Sequence, residues 1–169
     1  MYRRLLRLAS NILIFMLLIL GVEWWQASSM RSGMWPESAR LLPSLEGTTG
    51  TLPEAGGGVT LVYVFAPWCG VCRATAANLN VLKERGFQVS ALALAYEQEA
   101  EVRAFVTSTG LSTTVLLGSE DIARSLAVSA FPSYFILSPT GRILKAWSGY
   151  ATTAGLILKM WAIGLTSPS

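Results

Sequence analysis

Residues 59–66 read Val-Thr-Leu-Val-Tyr-Val-Phe-Ala, an almost unbroken run of apolar and β-branched side chains. A strand with one face in water would alternate polar and apolar positions. A run this continuous predicts a strand covered on both faces, as found inside a parallel sheet. The remaining pattern fits that demand. Helical spacing over 71–85 stops at Gly86, a second apolar strand covers 87–95, and an acid-led helix over 97–108 is closed by Gly110. A short strand over 113–117 and a short helix over 120–126 follow. Strands over 133–137 and 142–147 are joined by the turn Ser138-Pro139-Thr140-Gly141, and a closing amphipathic helix spans 152–163. The order β-α-β-α-β-α-β-β-α predicts an α/β domain.

The chain's two cysteines, Cys69 and Cys72, stand just after the first of these strands. Structural zinc normally takes four Cys or His ligands, and the chain has no histidine, which removes a closed zinc site. Copper(I) held by two thiolates stays open. A disulfide across so short a loop gains little chain-entropy stabilisation, so the pair makes a poor staple. A redox centre explains the placement. A cysteine between a strand end and the first turn of a helix meets unpaired backbone N–H groups and the positive end of the helix dipole, and both favour the reactive thiolate. Cys69 occupies that position, and Cys72 lies one helical turn further on, where it can attack a mixed disulfide formed at Cys69.

The N-terminus is a second signal. Arg3, Arg4 and Arg7 precede an apolar run from Leu8 to Val22 that only Ser10, Asn11 and Gly21 interrupt. A cleaved secretory signal and an uncleaved anchor share this design. Glu23-Trp24-Trp25 separates the run from the weak cleavage candidate Ala27-Ser28-Ser29, and paired tryptophans suit a membrane–water interface. Residues 1–25 are therefore expected to form a single-pass transmembrane anchor. The arginines stay cytoplasmic and the remainder is exported, into the periplasm of a bacterium with two membranes. Residues 26–43, rich in helix and strand breakers, read as a linker, and the folded domain is expected over 44–169. The net charge is +3, yet from Leu41 onward eight Lys or Arg balance eight Asp or Glu. The clustered basic face of a nucleic-acid binder is not expected.

Trp68-Cys69-Gly70-Val71-Cys72 after a buried strand resembles the active site of thioredoxin-fold oxidoreductases, and Ala130-Phe131-Pro132-Ser133-Tyr134 resembles their cis-proline loop. With the 97–108 helix and the N-terminal anchor, the chain is similar to the TlpA/ResA-like branch, most of all to the membrane-anchored copper-sensitivity suppressor D type. The resemblance covers roughly residues 44–163. It implies a thioredoxin-like fold, a central mixed sheet flanked by helices. Cys69 would be the attacking thiol and Cys72 the resolving one. Trp68, Gly70, Val71, Phe131 and cis-Pro132 would form the substrate-binding surface. No metal and no cofactor beyond the redox-active cysteines is implied. The partners would be a periplasmic protein disulfide and a membrane-embedded thiol donor at the inner membrane, with the chain as reductant. A copper(I)-handling module or a scaffold on the same fold remains the alternative. Two positions depart from the family. Tyr63 stands where thioredoxins carry a buried Asp, and Thr75 stands where ResA-like members carry a Glu.

Overall fold

In a computed structural model the described residues are 33–53 and 58–166, with Ile14, Met16 and Leu17 from the N-terminal segment. The strands are β1 (Gly33–Met34), β2 (Leu41–Pro43), β3 (Thr49–Thr51), β4 (Thr60–Phe65), β5 (Gln88–Ala93), β6 (Thr114–Leu117), β7 (Ser133–Leu137) and β8 (Arg142–Ser148). The helices are α1 (Gly70–Glu84), α2 (Glu99–Thr109), α3 (Glu120–Ser125) and α4 (Thr153–Thr166).

Six strands form one sheet in the order β1-β8-β7-β4-β5-β6. β4 pairs parallel with β5 and antiparallel with β7, so the sheet is mixed. All six residues of β4 are buried, as the continuous apolar run requires. Leu61, Tyr63 and Phe65 point into the core shared with α1, α2 and α4, while Val62 and Val64 point into the opposite core beneath α3 and residues 35–52. Burying one such side chain stabilises the fold by about 1.5–3 kcal/mol.

Caps set the helix ends. The Gln98 backbone N–H donates to the Glu101 carboxylate at 3.1 Å at the start of α2, and Gly110, at φ 65°, ends that helix in the left-handed region that glycine tolerates.

Residues 33–43, expected as linker, belong to the fold. β1 pairs with β8, Gly33 opposite Ile143 and Met34 opposite Arg142. Trp35 is buried edge-on against Phe135, its ring centroid 5.4 Å away, and its indole N–H donates to the Ala39 carbonyl at 2.9 Å. Ala39 and Leu42 are buried beside it. These isolated apolar residues are the inward points of a strap whose prolines and short 3-10 turn break any periodicity. Among the described residues no helix is long and apolar enough to cross a membrane. The expected anchor over 1–25 lies almost entirely outside the described residues.

Candidate active site

The loop Ala66-Pro67-Trp68 carries the chain from the carboxyl end of β4 into α1. The Cys69 N–H donates back to the Ala66 carbonyl at 3.0 Å, and the Arg73 N–H to the Cys69 carbonyl at 3.2 Å. Cys69 is the N-cap of α1, with extended backbone angles, and its sulfur accepts the Cys72 N–H at 3.1 Å. Cys69 and Cys72 are joined as a disulfide with their Cα atoms 5.2 Å apart. Cys69 keeps 6% exposure and Cys72 has none, so an incoming partner can reach only the first sulfur.

The residues expected on the substrate side gather at the same end of the sheet. Trp68 is 67% exposed, yet it is not free to swing. Its indole N–H donates to the Ala95 carbonyl at 2.8 Å, and its ring meets Phe131 edge-on at 5.7 Å. Ala95 holds a φ of 52°, a conformation a non-glycine residue rarely adopts. The Phe131–Pro132 bond is cis. Pairing of Ser133 with Val64 sets this loop beside the carboxyl end of β4, and the Pro132 carbonyl accepts the Gly149 N–H at 2.9 Å. Val71 is exposed, and a side chain at Gly70 would meet nothing within 4 Å. Tyr150 is exposed and follows Gly149, whose N–H binds this loop. No sequence motif pointed to it.

Arg73, the first cation after the cysteines, is engaged elsewhere. Its guanidinium donates to the Pro67 carbonyl at 3.0 Å and to Ser108 Oγ at 2.9 Å, and it lies over the Phe105 ring. Behind Cys72, where the family's buried acids would stand, Tyr63 and Thr75 are both buried. Burial drives the Tyr63 phenol well above its ordinary range, against a smaller opposing effect of the Thr75 hydroxyl. Among the described residues no group of three or more His, Cys, Asp or Glu could hold a metal ion.

A family model for Redoxin matches residues 31–154. A Haemophilus influenzae "Thioredoxin-like protein" is 29% identical over 122 residues, 71% of this chain and 72% of that protein. A solved thiol:disulfide interchange protein of the thioredoxin family from Chlorobium tepidum superposes with a TM-score of 0.65 at 20% identity, over 80% of this chain and 97% of that one. A secreted Mycobacterium tuberculosis disulfide oxidoreductase homologous to E. coli DsbE gives 0.62 at 18% identity, over 74% and 96%. At such identities the solved structures establish a shared fold. The family match runs through the whole sheet from β1 to β8 and takes in both cysteines. The chain therefore belongs to the Redoxin family, as a thioredoxin-fold thiol–disulfide oxidoreductase with a Cys69–Cys72 pair.

Proposed function

We propose that the chain is an exported oxidoreductase, held to a bacterial inner membrane by its N-terminal segment, that reduces disulfides of partner proteins. Within the family we place it in the TlpA/ResA-like branch, nearest the membrane-anchored copper-sensitivity suppressor D type. The observation that carries the chemistry is Cys69 itself: the α1 N-cap, partly open to solvent, with Cys72 sealed behind it. In the reduced protein the Cys69 thiolate attacks one sulfur of a partner disulfide. The partner bond breaks, one partner sulfur leaves as thiolate, and a mixed disulfide remains. Cys72 then attacks Cys69, the Cys69–Cys72 bond forms, and the second partner thiol departs. Two electrons pass from the pair to the partner, and a membrane-embedded thiol donor restores them.

The anchor reading is supported by Arg3, Arg4 and Arg7 ahead of the apolar run to Val22. The direction is supported by the residues around the sulfurs. Gly70 and Val71 bring no cation between the cysteines, and Arg73 is bound to Pro67 and Ser108. A strongly oxidising pair needs its reduced form specially stabilised. The deciding measurement is the potential of the Cys69–Cys72 pair, equilibrated in glutathione or dithiothreitol buffers. A value near about −270 mV supports the reductant. One near about −120 mV reverses the direction and removes the need for a membrane donor.

A further inference from the structure

Three hydroxyls converge behind the resolving cysteine. Tyr63 on β4 donates its O–H to the Cys72 carbonyl at 2.9 Å, and its oxygen lies 3.2 Å from Thr75 Oγ1. Thr75, one turn after Cys72 on α1, donates to the Val71 carbonyl at 3.0 Å. Tyr134 on β7 stands directly opposite Tyr63 in the sheet, with the two rings 5.4 Å apart. Its hydroxyl is buried close to the Thr75 hydroxyl. Trp147 of β8 stacks on Tyr134 at 5.0 Å and closes that side.

Charged groups stay outside this cluster. Lys159 of α4 lies over the Trp147 ring, Arg73 of α1 is held at Pro67 and Ser108, and Tyr150 is exposed. The buried polar residues of the described chain are serines and threonines, with no carboxylate among them. Burial pushes the Tyr134 phenol up to about 12 and Tyr63 higher still. Both phenols therefore keep their protons wherever thiol exchange runs.

Resting on the exchange reading above, we infer that Tyr63 and Thr75 are positioning residues for Cys72, a neutral latch in place of a buried acid. By binding the Val71 and Cys72 carbonyls, the latch fixes the first turn of α1, so the resolving sulfur is presented to Cys69 at a set angle. When Cys72 attacks the mixed disulfide, the Cys69–Cys72 bond forms and the Cys69–partner bond breaks. The electron pair of that bond leaves on the partner sulfur. The proton of Cys72 ends on solvent or on the departing sulfur, because no protein carboxylate stands behind it.

The test uses reduced full-length protein and the aromatic disulfide dithiobis(nitrobenzoate), which releases one coloured thiol when Cys69 attacks and a second when Cys72 resolves. The second phase of the wild type should rise with pH through one ionisation. Tyr63→Phe and Thr75→Val should each slow that phase about three- to tenfold, roughly the worth of one net hydrogen bond. The first phase should be unchanged. Thr75→Ser should restore the rate, and Tyr63→Asp should add a second ionisation to the profile. Folded Thr75→Val protein that resolves at the wild-type rate overturns the latch, and so does a wild-type second phase that needs two ionisations. If Tyr63→Phe fails to fold, the Thr75→Val and Thr75→Ser pair decides alone. A wild type lacking even the first phase overturns the exchange reading, and the latch with it.

Discussion

Replacing Trp35 with alanine tests whether the strap ahead of the central sheet is part of the folded unit. The side chain is 2% exposed, so almost all of its apolar surface returns to water or lines a cavity. Truncating a buried tryptophan costs about 3–5 kcal/mol. Within that sum, the edge contact with Phe135 accounts for about 0.5–1.5 kcal/mol, and the bond to Ala39 for about 1 kcal/mol. We expect about 4 kcal/mol, a large part of the 5–15 kcal/mol that holds a typical domain. With a urea slope of about 2 kcal/mol per molar, the unfolding midpoint should fall by about 2 M. Trp35→Phe keeps most of the apolar area and should lose much less. Equilibrium urea unfolding followed by far-ultraviolet circular dichroism reads both variants. A loss below about 1 kcal/mol for Trp35→Ala would show that residues 33–43 only drape the sheet, and would refute the reasoning.

Other expectations concern the site and its surroundings. Cys72→Ser should accumulate a mixed disulfide with a partner protein, visible on a non-reducing gel, and Cys69→Ser should form none. Trp68→Ala should raise KM for a protein disulfide several-fold while leaving reaction with glutathione disulfide near wild type, since a small disulfide does not need the indole wall; comparing steady-state kinetics on the two substrates separates these effects. Burial raises the phenols of Tyr63 and Tyr134 above the ordinary value near 10. A raised folded-state value means stability that is whole below about pH 10 and lost as pH climbs toward and past 12. Alkaline melts of wild type and Tyr134→Phe should show that loss beginning above pH 10 and reduced in the variant. Reduced protein challenged with a copper(I) chelator should surrender any metal, whereas retention of one equivalent would favour the metal-handling alternative.

Much of this architecture is legible in the residues because long apolar runs and glycine stops are local signals. The run ending at Ala66 marks β4, and Gly86 and Gly110 mark the ends of two helices, with boundaries displaced by a residue or two where the last turns are shared. The cysteine pair and the proline after Phe131 are likewise local motifs, and the structure brings them to one end of the sheet. What escaped is what tertiary contact alone creates. β1, β2 and β3 are two or three residues long, too short for a period, and the segment that carries β1 and β2 is pinned by Trp35 meeting Phe135, a hundred positions away. The hydroxyl latch needs the register of β4 against β7 and the turn of α1 together. Ala95 gives no hint in sequence that its backbone will hold an indole.

The burial of β4 on both faces also has a bearing on which partners can react. Its strand is hydrogen-bonded on each side, to β5 and to β7, and the Leu94 N–H ties down the Phe65 carbonyl at 2.9 Å just before the cysteine loop. The cysteine loop thus springs from a strand held on both edges, in an interior packed as densely as an organic crystal. In-line attack on a disulfide then requires the other molecule to bend. A bridge in a loose or half-unfolded segment can align itself, while one clamped inside a finished native sheet cannot. Under the proposed reductant role, such a mount favours partners whose disulfide lies in a loose segment over those whose disulfide is clamped in a finished sheet.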